Sequence, residues 1–360
     1  MAVVAVRFTG VKTVGFETLP ERPVGPGEVR LRTLYSGISA GTELTAYRGT
    51  NPYLHKRWDA GQRLFLAIDA GMAPEPPRSW GYEEVGEIVD VGPGVTDLTP
   101  GTLVHGTWGH QTEHVARAED IGWRTLPAGT DPILGIFSHI GPIALNGVLD
   151  GAIRLGETVA VFGLGVVGQL VVRLARLSGA TVVGIDPIAA RRDLAAVGGA
   201  ATTIGPEGAA EAIRDLTGGL GADVCFEASG SARALHEAIR ACAPSSRVVT
   251  LGFFQGEATG LLLGDEFHHN RITLVCSQIG GVAPELRHRW DRDRLVRTFM
   301  GLVTDGTVDP RPLVSHVLPA ARAADAYALL DERPGEALQV VLDFRDGLQM
   351  PGGEVDGRGE

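Results

Sequence analysis

The sequence predicts an α/β protein in which a doubly wound parallel sheet is joined to a β-rich, partly barrel-shaped domain. Three observations carry this reading. From about residue 131, β-branched and apolar runs alternate with stretches of helical period. Before that point, short strand-like runs are separated by breakers such as PVGPGE and DVGPGVTDLTPG, with no long helical period. After Gly281 the alternation stops, and the chain closes with a helix, PRPLVSHVLP, another helix and a last strand.

In the first part, residues 3–8, 27–34, 86–91 and 102–106 read as strands. Residues 51–79 are less regular, and a loop of that length is either functional, as a lid, or a solvated insertion. Parallel strands are expected at 159–162, 181–185, 200–204, 223–227, 247–251 and 272–276. Crossover helices are expected near 191–197, 208–216 and 232–242, beside the one that follows Gly165. Helices near 291–304 and 321–330 precede a strand at 338–344. This divides the chain into 1–130 with 285–346, an inserted 131–284, and a glycine-rich acidic tail at 347–360 that is expected to be disordered.

The most informative stretch is 157–186, ETVAVFGLGVVGQLVVRLARLSGATVVGID. A buried-strand run, 158–162, leads at once into Gly163-Leu164-Gly165-Val166-Val167-Gly168. A helix with Val167, Leu170, Val171, Leu174 and Leu177 at helical spacing follows, and then a strand ending in Asp186. Gly163 permits the tight turn, Gly165 lets a pyrophosphate approach the backbone, and Gly168 lets helix and strand pack closely. The helix N-terminus offers free amides to phosphate. Strand, glycines, helix, strand and acid in that order point to a dinucleotide site, with Asp186 on the ribose diol. A carboxylate there repels a 2′-phosphate, so NAD is expected rather than NADP. Arg191, kept with the cofactor-binding residues, and Arg192 lie just beyond. As solvated helix residues they would leave that preference intact; folded back, they would meet a phosphate.

Composition narrows the classes. There are 360 residues, 44% hydrophobic and 21% charged, which is ordinary for a globular protein of about two domains. A formal charge of −11 argues against nucleic acid or an anionic membrane as partner. No apolar run is expected to approach the roughly 20 residues needed to cross a bilayer, and MAVVAVRFTG lacks a signal peptide's charged and apolar regions. Cys225, Cys242 and Cys276 are widely separated, without CxxC, so neither a disulfide framework nor a cysteine-rich zinc site is expected; a reducing cytoplasm fits.

SGISAGTE at 36–43, GYEEVGEIVDVGPGV at 81–95, TEHV at 112–115, GLGVVG at 163–168 and LVSHVLP at 313–319 together resemble the medium-chain dehydrogenase/reductase superfamily, in its zinc alcohol dehydrogenase-like group. The resemblance covers nearly the whole chain. It implies a Rossmann domain inserted into a GroES-like catalytic domain, hydride transfer with a nicotinamide cofactor, and a homodimer joined at the edge strand 272–276, whose ITLVC would otherwise be a hazardous free edge.

The departures from that pattern bear on chemistry. Zinc-dependent members carry GICGTD near residue 40; here Ser39 stands in the region of the cysteine ligand, with one extra residue. They carry GHE, and here the triplet is Gly81-Tyr82-Glu83. The third ligand falls near His139 by the same comparison, and the four-cysteine lobe is missing. Serine and neutral tyrosine are poor zinc ligands, so the catalytic set is expected to hold no metal unless His110 or His114 rebuild a site with Glu83.

Without zinc, the carbonyl oxygen needs a hydrogen-bond donor or general acid. Tyr82 is the first candidate, with Ser39, Thr42, His139 and Glu83 completing the catalytic set; alternatively Tyr82 only fills the space left by the metal. Trp58, Trp80, Trp108, Tyr47 and Tyr53 are candidates for an apolar lining, or for ordinary core. The leading expectation is an NAD-dependent, zinc-independent oxidoreductase acting on a small or cyclic alcohol or carbonyl, polyol or sugar-like. Alternatives are a zinc-less quinone or enone reductase, and a non-catalytic dinucleotide sensor. GISAGTE also resembles the branch containing bacteriochlorophyllide dehydrogenase, which keeps a larger cyclic alcohol open.

Overall fold

A computed structural model describes residues 2–68 and 80–348. In chain order the first elements are β1 (Val3–Gly10), β2 (Thr13–Leu19), β3 (Glu28–Ile38), α1 (Ala40–Tyr47), β4 (Lys56–Asp59), β5 (Leu64–Ala67), β6 (Glu84–Val91), β7 (Leu103–Gly106), β8 (Glu113–Arg117) and α2 (Ala118–Ile121). There follow α3 (Phe137–Gly151), β9 (Thr158–Phe162), α4 (Val166–Leu177), β10 (Thr181–Ile185), α5 (Ala189–Val197), β11 (Thr202–Ile204), α6 (Ala209–Leu216), β12 (Ala222–Glu227), α7 (Ala232–Ala241), β13 (Cys242–Thr250), β14 (Thr273–Cys276) and α8 (Arg292–Thr304). The chain then closes with β15 (Val314–Pro319), α9 (Ala323–Glu332) and β16 (Gln339–Asp343). It packs into two compact units, Met1–Ile136 with His316–Glu360, and Phe137–Ser315.

The second unit is the doubly wound sheet, in the order β11-β10-β9-β12-β13-β14, with every pair parallel. Its strands sit within a residue or two of the expected positions, except that β13 begins five residues early, at Cys242. Val159, Ala160, Val161 and Phe226 are fully or almost fully buried between helix layers, which is why these strands read as continuous apolar runs rather than alternating ones. Leu177, counted on the apolar face of α4, is instead 52% exposed, because it falls in the last turn.

The first unit is built on β3, eleven residues long. It pairs antiparallel with β16, β6 and β8, within a sheet ordered β15-β16-β3-β6-β7. Shifts in the β3–β6 register at Arg30/Leu31 and Thr33/Tyr35 bend the sheet. One core gathers Val4, Val6, Ile38, Leu44, Tyr47, Tyr327 and Val340; another gathers Val29, Leu31, Ile88, Val104 and Trp108.

Some expectations need correction. Residues 51–68 are not irregular: a turn at Pro52–Leu54 leads into an antiparallel β4–β5 hairpin carrying Trp58 and Phe65 at 4.9 Å. Residues 69–79, the rest of that stretch, and 349–360 of the expected tail lie outside the described residues. One segment, Pro132–Gly151, is long and apolar enough to cross a membrane, although no such run stood out in the sequence. It is 78% buried in the fold, and its α3 part packs against α4 and α8 as a core helix does.

Candidate active site and cofactor loop

In the second unit, the turn after β9 has the geometry its glycines imply. Gly163 takes φ +89°, and a Cβ there would lie 2.7 Å from Ser229 Cβ; a Cβ on Gly168 would lie 1.9 Å from the Gly163 carbonyl oxygen. At Gly165, which caps α4, a Cβ would meet nothing within 4 Å. Open space therefore faces the helix N-terminus, where backbone N–H groups lack helical acceptors. These residues fit a dinucleotide phosphate.

Asp186 is 3% exposed and ties the second strand to that loop: Leu164 N donates to its Oδ2 and Ile188 N to its Oδ1, both at 2.8 Å. Arg191 Nη1 stands 4.0 Å from Asp186 Oδ2, and Arg192 Nη1 donates to the carbonyls of Asp186 and Pro187 at 2.7 and 3.0 Å. Both arginines thus fold back onto the end of β10 and are not solvated helix residues. The carboxylate draws one guanidinium and the strand's terminal carbonyls draw the other. His139 is also in this unit, half-buried on α3, with Arg292 Nη2 at 3.2 Å from its Nδ1.

In the first unit, Ser39, Thr42 and Tyr82 come together. Ser39 follows β3 and is the N-cap residue of α1. Its amide donates to Glu43 Oε1 at 2.8 Å, a capping box displaced by one residue, which places an acid in the favourable first turn. Tyr82 precedes β6 on a turn that only glycine permits: Gly81 has φ +96°, and a Cβ there would lie 2.8 Å from both Glu84 Oε1 and the His110 ring. The Tyr82 hydroxyl shares a hydrogen bond with Ser39 Oγ and donates to Thr42 Oγ1 at 3.0 Å. Burial, then the charge of Glu83, push the Tyr82 phenol above its ordinary value, against the opposing bonds to Ser39 and Thr42. It is a hydroxyl donor, not a base.

Glu83 is fully buried. Gln339 Nε2, from β16, donates to its Oε2 at 3.1 Å, while Oε1 has no hydrogen-bond partner among the described residues. Burial, then the charges of Glu43 and Glu84, push its carboxyl well above the carboxylate range, with Gln339 opposing.

Beneath these lies a network that the sequence did not reveal. His110 Nε2 is 2.7 Å from Glu43 Oε2, and Tyr327 of α9 donates to the same oxygen. His110 Nδ1 is 2.6 Å from Ser36 Oγ, and Ser36 Oγ donates to Glu84 Oε1 at 2.9 Å. Trp108 N donates to Glu84 Oε2 at 2.7 Å. Ser36, Glu43, Glu84, His110 and Tyr327 are all fully buried. Ser36 and Glu84 fall just outside the runs read as strands at 27–34 and 86–91, and only the structure extends β3 and β6 over them.

Of the aromatic lining candidates, Tyr47 and Trp108 belong to two different cores, Trp80 packs at 5.6 Å from Phe8, and Tyr53 and Trp58 are exposed beside Phe65. They do not form one surface.

Zinc binds thiolate, imidazole or carboxylate. At the positions where zinc-dependent members of the superfamily carry cysteine and histidine, two hydroxyls are engaged with each other. His110 has both ring nitrogens engaged, and His114 stacks on Trp108 with ring centroids 6.0 Å apart. Among the described residues no group of three or more His, Cys, Asp or Glu is disposed to hold a metal. This donor set does not fit zinc.

The family described as zinc-binding dehydrogenase matches residues 166–293, wholly within the second unit. D-guloside 3-dehydrogenase of Shigella flexneri is 30% identical over 90% of this chain and 95% of its own length. The solved alcohol dehydrogenase TADH of Thermus sp. ATN1 superposes with a TM-score of 0.71 at 25% identity, covering 95% of this chain and 99% of that one. A solved 2R,3R-butanediol dehydrogenase of Bacillus subtilis shares the fold, with a TM-score of 0.74 at 20% identity over 95% of this chain and 99% of that one. The chain belongs to the medium-chain dehydrogenase/reductase superfamily and is an NAD(P)-dependent oxidoreductase of its zinc alcohol dehydrogenase-like group.

Proposed function

We propose that the chain moves hydride between a nicotinamide cofactor, NAD in preference to NADP, and a secondary alcohol or carbonyl on a small or cyclic, polyol- or sugar-like substrate, without zinc. The observation that carries this is that the hydroxyls of Tyr82 and Ser39 stand where zinc-dependent relatives carry metal ligands and bond each other, with Thr42 accepting from Tyr82. A relative that acts on a guloside supports the sugar-like class.

The cofactor, when bound, supplies or accepts the hydride. Residues 163–168 would receive its pyrophosphate at the α4 N-terminus, and Asp186 its ribose diol, because each carboxylate oxygen keeps a lone pair after accepting one amide. Tyr82, kept protonated by burial, would turn its one hydroxyl hydrogen from Thr42 Oγ1 to the carbonyl oxygen and steady the charge that develops there. Ser39 and Thr42 hold that hydroxyl in line and pass a proton onward. Glu83, whose carboxyl burial pushes up, completes the proposed set. A homodimer joined along β14, whose Leu274 is 37% exposed at the sheet edge, and a cytoplasmic location complete the reading.

Tyr82→Phe is the test. Turnover is expected to fall at least about 100-fold, while NADH binding, followed by fluorescence, is unchanged. Unchanged turnover on the best substrate would sink the assignment.

A further inference from the structure

Hydrogen counting in the buried network assigns a charge. Ser36 has one hydroxyl hydrogen. If His110 were neutral with its proton on Nε2, where Glu43 needs a donor, Nδ1 would be an acceptor and would take Ser36's hydrogen; Glu84 Oε1 would then lose the Ser36 bond. If the proton sat on Nδ1 instead, Glu43 Oε2 would face a lone pair at 2.7 Å. With Glu43 and Glu84 both ionised, an imidazolium satisfies every contact: Nε2–H to Glu43, Nδ1–H to Ser36 Oγ, and Ser36 O–H to Glu84. Burial pushes the Glu84 carboxyl up, and the charge of His110, with hydrogen bonds from Trp108, Ser36 and Gly109, pulls against it, so the two buried carboxylates share one balancing cation.

The consequence reaches the hydroxyl set. Glu43 Oε1 accepts the amide of Ser39, and the Oγ of that same residue bonds Tyr82. We infer that His110 is a positioning residue, an imidazolium clamped between Glu43 and Glu84 that fixes Ser39 against Tyr82 through Glu43. This rests on the proposed role of Tyr82. The groups facing the ring are Glu43 from α1, Glu84 from β6, Tyr327 from α9 and Arg7 from β1. Burial pulls the imidazole down, but the charge and hydrogen bond of Glu43, with the charge of Glu84, outweigh it and hold the group above its ordinary value, against a small opposing push from Arg7.

Two measurements on the full chain test this. Nitrogen-15 imidazole spectra at pH 8 are expected to show one histidine protonated on both ring nitrogens, with resonances that move in Ser36→Ala. A protein in which every histidine is neutral at pH 8 would overturn the clamp. Ser36→Ala removes a single oxygen and leaves Tyr82 and Ser39 in place, so the variant is expected to fold. Its kcat is expected to fall about tenfold at pH 8.5 and its alkaline limb to move to lower pH, with KM for NAD within about twofold. An unchanged pH profile of kcat, in a variant series where Tyr82→Phe still abolishes turnover, would overturn the positioning role and leave the proposed function standing. Loss of effect in Tyr82→Phe itself would remove that function whatever the spectra show.

Discussion

The two units hold their polar groups by different means. In the second, every group that matters lies within thirty consecutive residues: Gly163, Gly165 and Gly168 shape one turn, and Asp186 reaches back to the Leu164 amide. In the first, the groups come from residues 36–43, 81–84, 110, 327 and 339, brought together by β3, α1, β6, α9 and β16. A backbone cradle depends on absent side chains and tolerates no added atom. A buried ionic network depends on complete partners and tolerates no missing proton. The first should therefore fail sterically and the second electrostatically.

The largest expected effect tests the steric half. Gly168→Ala puts a methyl 1.9 Å from the Gly163 carbonyl, and a backbone oxygen in a crowded crossing cannot withdraw. The cost should exceed about 4 kcal/mol, read as collapse of the thermal unfolding midpoint and loss of NADH binding. Survival of both would mean that the close helix–strand contact is dispensable.

Next comes a titration in the first unit. His105, on β7, is 3% exposed, with Nδ1 unpartnered among the described residues. Burial, and secondarily the charge of Arg124, pull it down to about 3. Its folded value lies below its unfolded value of about 6.5, so the unfolded chain takes the proton first. The contribution is intact above pH 6.5 and is lost as pH falls toward 3, by up to about 4 kcal/mol. His105→Gln should flatten that slope in denaturant unfolding between pH 6.5 and 4. An identical slope in both proteins would show that the acid sensitivity comes from elsewhere.

The smallest effect concerns cofactor choice. Arg191, 4.0 Å from Asp186, partly offsets the carboxylate that discriminates against a 2′-phosphate. Arg191→Ala should raise the ratio of NAD to NADP efficiency about fivefold, roughly 1 kcal/mol, with KM for NAD nearly unchanged. A large loss of NAD efficiency instead would mean that the arginine binds a part common to both cofactors.

Legibility in the sequence follows the same division. The parallel strands, the glycine loop and Asp186 could be read because their signal is local: apolar run, turn, helical period, acid. The β4–β5 hairpin was missed because its exposed apolar residues, Trp58, Leu64 and Phe65, do not alternate with buried ones. Ser39, Thr42 and Tyr82 could be proposed only because a family pattern set them opposite one another, across forty residues. His110, Glu43 and Glu84 could not be paired, since no spacing rule joins a loop, the first turn of a helix and the start of a strand. The direction of Arg191 and Arg192 stayed open because a helical spacing says nothing of which way a long side chain turns.

The central claim is that hydroxyls, not a metal, face the reacting oxygen. Its most direct test is zinc per chain, by elemental mass spectrometry on active protein purified without a histidine tag or chelator. The account predicts a value near zero with activity unaffected by a chelator. A value near one, with activity lost on chelation and restored by zinc, would contradict it.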